Sequence, residues 1–169
     1  VSVNLSYLQL YEEGFTSFMK ETMERCQVPS RNIIVEMTES YMVKSSEELQ
    51  AIFQEIRGIG VRIAMDDFGT GYSSLGVLKN SPADIVKIDR IFIKDILNSE
   101  FDATFIQFVV RLCHDVNIQV LLEGVETKEE YEKVKAMGLD YIQGYYFGKP
   151  MQAEALKALQ IGRAHVCTP

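Results

Sequence analysis

Cysteine and histidine are scarce in this 169-residue sequence. The three cysteines, Cys26, Cys113 and Cys167, are odd in number and widely separated, so they form neither a disulfide framework nor a CxxC metal motif. A reducing, cytoplasmic environment is the simpler expectation. No apolar run reaches the roughly 18 residues that span a bilayer, although a region preceding residue 1 could anchor the parent protein to a membrane.

Basic residues are also few, since lysine and arginine are outnumbered by aspartate and glutamate. The net charge is −7 and the isoelectric point is near 4.9, which argues against DNA or RNA as a partner, because nucleic-acid binding needs basic surface. The negative net charge does not exclude the binding of one small phosphorylated ligand through a metal ion. The sequence is 47% hydrophobic and 24% charged, a composition that suits one globular domain with a sizeable core.

Short apolar runs rich in valine and isoleucine alternate with amphipathic patterns along the chain. This alternation is typical of repeated βα units within one domain. The helix at Thr127 opens with a capping-box pattern that includes Glu130. The predicted strands are Val1–Ser6, Asn32–Thr38, Val61–Asp66, Ile85–Ile88, Ile118–Glu123 and Tyr141–Gln143, and the predicted helices are Phe15–Cys26, Ser46–Arg57, Asp102–Asp115, Thr127–Met137 and Gln152–Leu159.

Polar residues end six of these predicted strands. Repeated βα units form either a (β/α) barrel or a doubly wound sheet. In a barrel the carboxyl ends of the strands converge on one mouth, whereas a doubly wound sheet spreads them along an edge, and this convergence favours the barrel. The polar residues at or near the strand ends are Asn4, Glu36, Asp66, Asp67, Lys87, Glu123 and Gln143.

The adjacent carboxylates of Asp66 and Asp67 are the most informative pair. They repel each other unless a positive charge lies between them, and the usual source of that charge is a divalent metal. Gly69 and Gly71 follow and let the backbone turn sharply and approach a ligand. Ordinary turn chemistry is the alternative interpretation of this segment.

The candidate metal ligands are oxygen donors. Glu36, Asp66 and Asp67 carry carboxylates and Asn4 carries a neutral carbonyl oxygen, a set that favours Mg²⁺ or Mn²⁺ over Zn²⁺. Neither histidine lies at a strand end. We expect His114 to be an ordinary helix-surface or core histidine and not a ligand.

Lys87 and Glu123 are the candidate catalytic residues. A lysine in an apolar strand needs a carboxylate partner or a substrate anion, unless its side chain extends out to solvent. Glu123 could take a proton from water, or it could form only a salt bridge with Lys87. Gln143 could hydrogen-bond a ligand or be structural. Metal, acids and lysine together indicate metal-assisted hydrolysis of a phosphoester.

Six motifs, taken together and in order, resemble the EAL domain family, the bacterial phosphodiesterases that act on cyclic di-GMP. The resemblance runs from residue 1 to about Met151. It implies a TIM-like barrel with one reversed strand, dependence on two Mg²⁺ or Mn²⁺ ions, and hydrolysis of cyclic di-GMP to linear pGpG. The motifs are Val3–Ser6, Glu36–Ser40, Asp66–Gly71, Lys87–Arg90, Glu123–Thr127 and Gln143–Tyr145.

The resemblance also implies a role for each matching residue. Some would hold metal, one would orient the attacking water, and others would support the loop that follows the paired aspartates. By motif, Asn4, Glu36 and Asp66 match metal ligands, and Asp67 matches a ligand of the second metal. Lys87 matches the lysine that orients the attacking water, and Glu123 matches the proposed base or a metal ligand. Glu39 matches the anchor of the Asp66–Leu75 loop, which contains Gly69 and Gly71, and Gln143 matches a further site residue.

In the family, the Glu-Ala-Leu motif that gives it its name lies on the first strand, which would precede residue 1 here, so we expect residues 1–160 to be an EAL domain that lacks its first strand and helix and is inactive by itself. The resemblance further implies a homodimer formed through the Asp66–Leu75 loop region and an upstream regulatory or diguanylate-cyclase-like domain. Residues 161–169 resemble a translated sequencing-adapter read-through, so we predict a non-native tail. The alternative function is a non-catalytic module that binds cyclic di-GMP or a protein.

Overall fold

The computed structural model describes residues 1–42, 47–71, 76–79 and 81–162. Their central feature is a six-stranded sheet in which every neighbouring pair of strands is parallel and the strands follow one another in chain order. The sheet curls into a half-barrel with helices packed on its outside. The strands are β1 (Ser2–Asn4), β2 (Ile34–Thr38), β3 (Arg62–Phe68), β4 (Ile85–Ile88), β5 (Gln119–Leu122) and β6 (Tyr141–Ile142).

Eight α-helices connect or follow these strands within the described ranges. The longer ones pack an apolar stripe on the sheet, as on α4, where Leu49, Phe53 and Ile56 are fully buried at a spacing of three to four residues. Two 3₁₀ turns, Ser30–Asn32 and Arg90–Phe92, precede β2 and follow β4. The helices are α1 (Tyr7–Leu10), α2 (Phe15–Arg25), α3 (Glu39–Met42), α4 (Glu47–Gly58), α5 (Gly76–Lys79), α6 (Glu100–Asp115), α7 (Lys128–Val134) and α8 (Ala153–Gly162).

The alternation of side chains along the strands separates the core from the site. On β3, Ile63 and Met65 are fully buried, and because successive strand residues face opposite sides of a sheet, Asp66 projects to the other side. On β4, Val86 and Ile88 are likewise fully buried beside Lys87. Burial of each such apolar side chain contributes roughly 1.5–3 kcal/mol relative to exposure. The apolar side of the sheet thus fixes the strands that carry the polar residues.

The sequence predictions agree with the main elements, with corrections at their ends. The first strand is shorter than Val1–Ser6, because Ser6 caps α1 by accepting the Gln9 N–H. The third strand continues past Asp66 to Phe68. The helix predicted over Thr127–Met137 ends at Val134. The capping box is confirmed, since the Thr127 side chain accepts from the Glu130 N–H and the Glu130 side chain accepts the Thr127 N–H.

Several smaller features complete the comparison. The short helices α1 and α3 were not predicted, because four residues are too few to show a helical period. The one reversed strand that the resemblance implies is not among the described strands.

Helix α8 includes residues 161 and 162, and residues 163–169 lie outside the described part, so the tail stays a prediction. No helix within the described ranges is long and apolar enough to cross a membrane.

Candidate active site

The strand register brings the predicted site residues to one edge of the sheet. Asn4 pairs with Glu36 across β1 and β2, and Asp66 pairs with Thr38 across β2 and β3. Since carboxyl ends of parallel strands lie at the same edge, residues far apart in sequence become neighbours here.

Lys87 lies at the centre of this edge. Its Nζ is 2.9 Å from Glu36 Oε2, 2.9 Å from Asp66 Oδ1 and 2.8 Å from Glu123 Oε1. Only 6% of the Lys87 side chain is exposed, and the three carboxylates are also largely shielded from solvent. Lys87 therefore has the carboxylate partners that its place in an apolar strand requires, and the salt bridge with Glu123 is present.

The charges of this cluster do not balance. Three carboxylates surround one ammonium group, which leaves an excess of two negative charges. Burial lowers the pKa of Lys87, but the ion pairs with the carboxylates of Glu123, Asp66 and Glu36 outweigh it and raise the pKa above its ordinary value. Burial raises the pKa of Glu123, opposed by its bond to Lys87 and reinforced by the negative charges of Asp66 and Glu36.

The environment of the Asp66 carboxylate is further evidence that this site favours an additional cation. Its Oδ1 atom is buried and has no well-oriented hydrogen bond, although it forms the 2.9 Å ion pair with Lys87. A carboxylate oxygen that is shielded from water and only partly compensated favours an additional positive partner.

Asp67 lies at an irregular point of β3. The register with β4 shifts between Met65 and Phe68, and Asp67 has a left-handed backbone conformation with φ 57°. Burial is the main factor that raises the pKa of its carboxyl group, followed by the charges of Asp66 and Asp89. Because of this irregularity, Asp67 adopts a left-handed backbone conformation that residues of a regular strand do not adopt.

The loop after β3 is held by Glu39, the first residue of α3. The buried Glu39 carboxylate accepts the Gly69 N–H at 3.3 Å. A Cβ at Gly71 would lie 4.0 Å from the same Glu39 oxygen. Thr70 binds the Asp67 carbonyl oxygen through both its N–H and its hydroxyl group. Residues 72–75 of the predicted Asp66–Leu75 dimer loop lie outside the described residues.

Two predicted residues lie at the periphery of the cluster. Asn4 is exposed at the end of β1. Gln143 is exposed directly after β6, and its backbone accepts the Val125 N–H at 3.2 Å and donates to the Leu122 carbonyl at 2.9 Å. A cleft of about 450 Å³ adjoins Gln143. These positions fit a ligand-facing role, which stays a prediction for both residues.

The donor set fits a hard divalent cation. Glu36, Asp66, Asp67 and Asn4 offer oxygen atoms, and the charge excess and the undercompensated Asp66 oxygen both favour a cation. Within the described ranges, no three acidic, histidine or cysteine side chains already stand in a metal-binding geometry. The side chain of Lys87 lies among the carboxylates instead. Metal binding would therefore require these carboxylates to divide their oxygen atoms between the Lys87 ammonium group and the ion.

His114 takes no part in this site. Its Nε2 lies 2.9 Å from Oδ2 of Asp140, the residue before β6, and the same Asp140 oxygen accepts the Val120 N–H at 2.7 Å. His114 is therefore a hydrogen-bonded helix residue, as the sequence predicts.

Asp89 and Phe92 lie beside the site, and the sequence patterns predicted no role for either residue. Asp89 acts electrostatically on Asp67 and caps the 3₁₀ turn by accepting the Ile91 N–H at 2.8 Å. The period of two along β4, which places Asp89 on the same side as Lys87, was the available signal. No sequence pattern pointed to Phe92, because its contact with Gly69 depends on the folded chain.

Comparison with known families then decides the class of protein. Residues 1–150 match the EAL domain. The chain belongs to the EAL domain family. Among curated EAL relatives, it is 36% identical over 149 residues to "Cyclic di-GMP phosphodiesterase PdeA" of Borreliella burgdorferi, which covers 88% of this chain and 22% of the relative.

A second EAL relative combines two activities in its name. The chain is 37% identical over 158 residues to "Bifunctional diguanylate cyclase/cyclic di-GMP phosphodiesterase MucR" of Pseudomonas aeruginosa, covering 94% of this chain and 23% of the relative. The chain thus spans about a fifth of the length of the curated relatives it matches.

Solved EAL structures support the barrel assignment. The chain superposes on "PaMucR Phosphodiesterase, c-di-GMP complex" with a TM-score of 0.83 at 37% identity, covering 92% of this chain and 63% of that one. It superposes on the Klebsiella pneumoniae BlrP1 manganese and cy-diGMP complex with a TM-score of 0.82 at 29% identity, covering 88% and 38%. The described half-barrel is therefore part of a TIM-like barrel of the EAL type, as predicted.

Proposed function

We propose that this chain forms most of the catalytic site of a phosphodiesterase that hydrolyses cyclic di-GMP to linear pGpG with Mg²⁺ or Mn²⁺. The observation that carries the proposal is the shielded cluster of Glu36, Asp66 and Glu123 around Lys87. Relatives named as cyclic di-GMP phosphodiesterases and solved EAL complexes with cyclic di-GMP and manganese support it.

Each residue of the cluster has a chemical task in this proposal. Glu123 accepts the proton of the attacking water, since its raised pKa makes it a better base than an ordinary glutamate. Lys87 keeps its charge, donates a hydrogen bond that orients this water, and balances the negative charge that develops on the phosphate. Water attacks phosphorus, the bond to the 3′ oxygen breaks, the leaving 3′ oxygen takes a proton from solvent to become a hydroxyl group, and one 5′-phosphate is produced.

Glu36, Asp66 and Asn4 would hold one divalent ion and Asp67 a second. A bound divalent ion supplies phosphate charge neutralisation and lowers the pKa of water. Glu39 and the loop glycines Gly69 and Gly71 keep the paired aspartates in place, and Gln143 faces the nucleotide.

We further propose that the catalytic unit is larger than these 169 residues, because the chain covers 63% of the PaMucR phosphodiesterase structure and its one Glu-Ala-Leu tripeptide, Glu154–Leu156, lies in α8 after β6 and not on a first strand. We call this chain, together with the upstream segment that would carry the first-strand motif, the complete domain. The complete domain would function as a homodimer and be controlled by an attached regulatory or diguanylate-cyclase-like domain. The present chain alone is expected to be inactive.

The test is a chromatographic assay of cyclic di-GMP turnover by the complete domain with Mn²⁺, with Mg²⁺ and with EDTA. We expect pGpG in both metals and none in EDTA, and no turnover by the 169-residue chain. Turnover that persists in EDTA would refute the metal requirement. Binding of cyclic di-GMP without turnover under all conditions would replace the enzyme with the alternative, a non-catalytic binding module.

A further inference from the structure

Gly69 lies directly against two aromatic rings that no motif identified. Phe92 ends the 3₁₀ turn after β4, and Phe105 lies in the first half of α6. Their rings stack with centroids 4.1 Å apart and planes 16° apart. A Cβ at Gly69 would lie 2.6 Å from Phe92 Cε2 and 3.1 Å from Phe105 Cζ, so only glycine fits here. We call these two side chains the aromatic stack.

The backbone N–H of Gly69 is also held, by Glu39. The Gly69 N–H points to Glu39 Oε2 at 3.3 Å, and φ of Gly69 is +93°, a conformation that other residues rarely adopt. Gly69 is thus fixed between a buried carboxylate and the aromatic stack. Both contacts act on the backbone, so they restrict the path of the loop whatever the loop's side chains do.

This path determines where the paired aspartates lie. Asp67 is two residues before Gly69, and its carbonyl oxygen is held by the N–H of Thr70, the residue after Gly69. A shift of Gly69 therefore moves the peptide that carries Asp67 and the adjacent Asp66. Metal and catalytic sites tolerate displacements of only about 0.5 Å before affinity falls.

We propose that Phe92 and Phe105 are positioning residues, which hold the Gly69 backbone and through it set the positions of Asp66 and Asp67 for divalent-metal binding. The inference rests on the proposed metal-dependent function. Phe92 is 9% exposed and Phe105 is partly buried, so a purely structural contribution to the core must be separated from positioning.

The experiment replaces each ring by an aliphatic side chain in the complete domain. Phe92→Leu and Phe105→Leu remove the stacked faces but keep apolar volume. Phe53 is fully buried on α4, and Phe53→Leu is the matched control for loss of core packing. Two readouts do not depend on turnover: the NMR shifts of the Gly69 amide and Hα, which ring currents displace, and Mn²⁺ affinity from the EPR signal of free Mn²⁺.

We expect both stack variants to move the Gly69 resonances toward ordinary glycine values and to weaken Mn²⁺ binding about tenfold. The turnover number should fall more than KM rises, because the reacting groups are displaced while most nucleotide contacts remain. Phe53→Leu should lower stability and leave the Gly69 shifts and Mn²⁺ affinity unchanged.

A double-mutant cycle tests the contact itself. Gly69→Ala introduces the Cβ that collides with Phe92, so Mn²⁺ binding should weaken as in the stack variants. Combining Gly69→Ala with Phe92→Leu should cost less than the sum of the single effects, because both changes disturb one contact. Strict additivity would contradict the proposal.

The two proposals fail in different ways. Mn²⁺ affinity that is unchanged in Phe92→Leu and Phe105→Leu overturns the positioning role, even if turnover proceeds. The same holds if the wild-type complete domain binds no Mn²⁺. Absence of turnover in a wild-type domain that binds Mn²⁺, with affinity still reduced in the variants, removes the phosphodiesterase function and leaves the positioning role intact.

Discussion

Lys87 combines burial with three carboxylate contacts, and these two properties act in opposite directions on its charge. Desolvation favours the neutral amine, whereas ion pairs with Glu36, Asp66 and Glu123 favour the ammonium ion and prevail. Removing the ammonium group would leave three shielded carboxylates facing one another. The free-energy cost of that arrangement is far larger than the net stabilisation that the ion pairs provide.

Lys87→Met should therefore destabilise the complete domain by about 3–5 kcal/mol in EDTA. Added Mn²⁺ should restore more stability to the variant than to the wild type, because the freed carboxylates bind the cation that replaces the lost charge. The measurement is urea unfolding followed by circular dichroism. Lys94→Met, at an exposed position, is the control and should change stability by less than about 0.5 kcal/mol. An equally small effect of Lys87→Met would contradict the buried ion-pair geometry.

The residues of the cluster could be identified from sequence because each is a polar residue at or near the end of a predicted apolar strand. Their partners could not. That Lys87 contacts three acids, or that Asp89 acts on Asp67, depends on strand curvature and register, which period-two patterns do not specify. Gln143 shows the same limit, because its exposed position beside a cleft is a property of the folded edge.

Among the elements, β3 shows best where local patterns fail. The apolar run Val61–Met65 predicts a strand ending at Asp66, yet β3 continues to Phe68 through a register shift and a left-handed Asp67. Long-range pairing with β4 and the Gly69 contacts impose this conformation, and neither is encoded in a local period. The long helices α4 and α6 were predictable because their apolar stripes repeat over several turns.

The connection after β6 gives an element-scale prediction. Gly144 packs against the segment after β5, and a Cβ there would lie 2.0 Å from the Val125 carbonyl oxygen. Gly144→Ala should therefore cost about 2–3 kcal/mol, since two backbone segments must separate. Gly58→Ala, at the end of α4 with no atom within 4 Å of the added Cβ, should instead stabilise by about 0.5–1 kcal/mol.

Urea unfolding of both glycine variants checks this pair. A neutral Gly144→Ala would show that the connection after β6 does not pack on Val125 as described. Opposite signs for the two substitutions would confirm that close backbone approach, and not helix or turn propensity in general, requires Gly144.

For the whole molecule, the sequential order of six parallel strands distinguishes the barrel from a doubly wound sheet. A doubly wound sheet reverses its strand order at a switch point, whereas here β1 to β6 are neighbours in chain order. This order gathers all the strand ends on one concave edge. The sequence favoured the barrel through convergence of polar strand ends, and no local pattern could give the register that produces the cluster.

The pH dependence of stability is a prediction at this scale, for the complete domain in EDTA. Because the folded state raises the pKa of Lys87 above its ordinary 10.5, the folded state keeps a proton that the unfolded state loses. Stability from Lys87 is therefore fully present below pH 10.5 and is lost as pH rises above it. The stability difference between wild type and Lys87→Met should be constant from about pH 7 to 10 and shrink at higher pH.

Unfolding midpoints across this range check the prediction. A difference that shrinks between pH 7 and 9 would mean that Lys87 titrates at or below its ordinary pKa, contrary to the three ion pairs. Lys94→Met provides the control for general effects of alkaline pH on the surface lysines.

The most direct test of the account is the turnover of cyclic di-GMP by the complete domain with Mn²⁺, for wild type and Glu123→Gln, with nucleotide binding measured on the same samples. The account predicts that the variant binds cyclic di-GMP with nearly unchanged affinity but forms pGpG at least about 100-fold more slowly, because the amide cannot accept the proton of the attacking water. Hydrolysis by Glu123→Gln at close to the wild-type rate would contradict the assignment of catalysis to the Lys87 cluster.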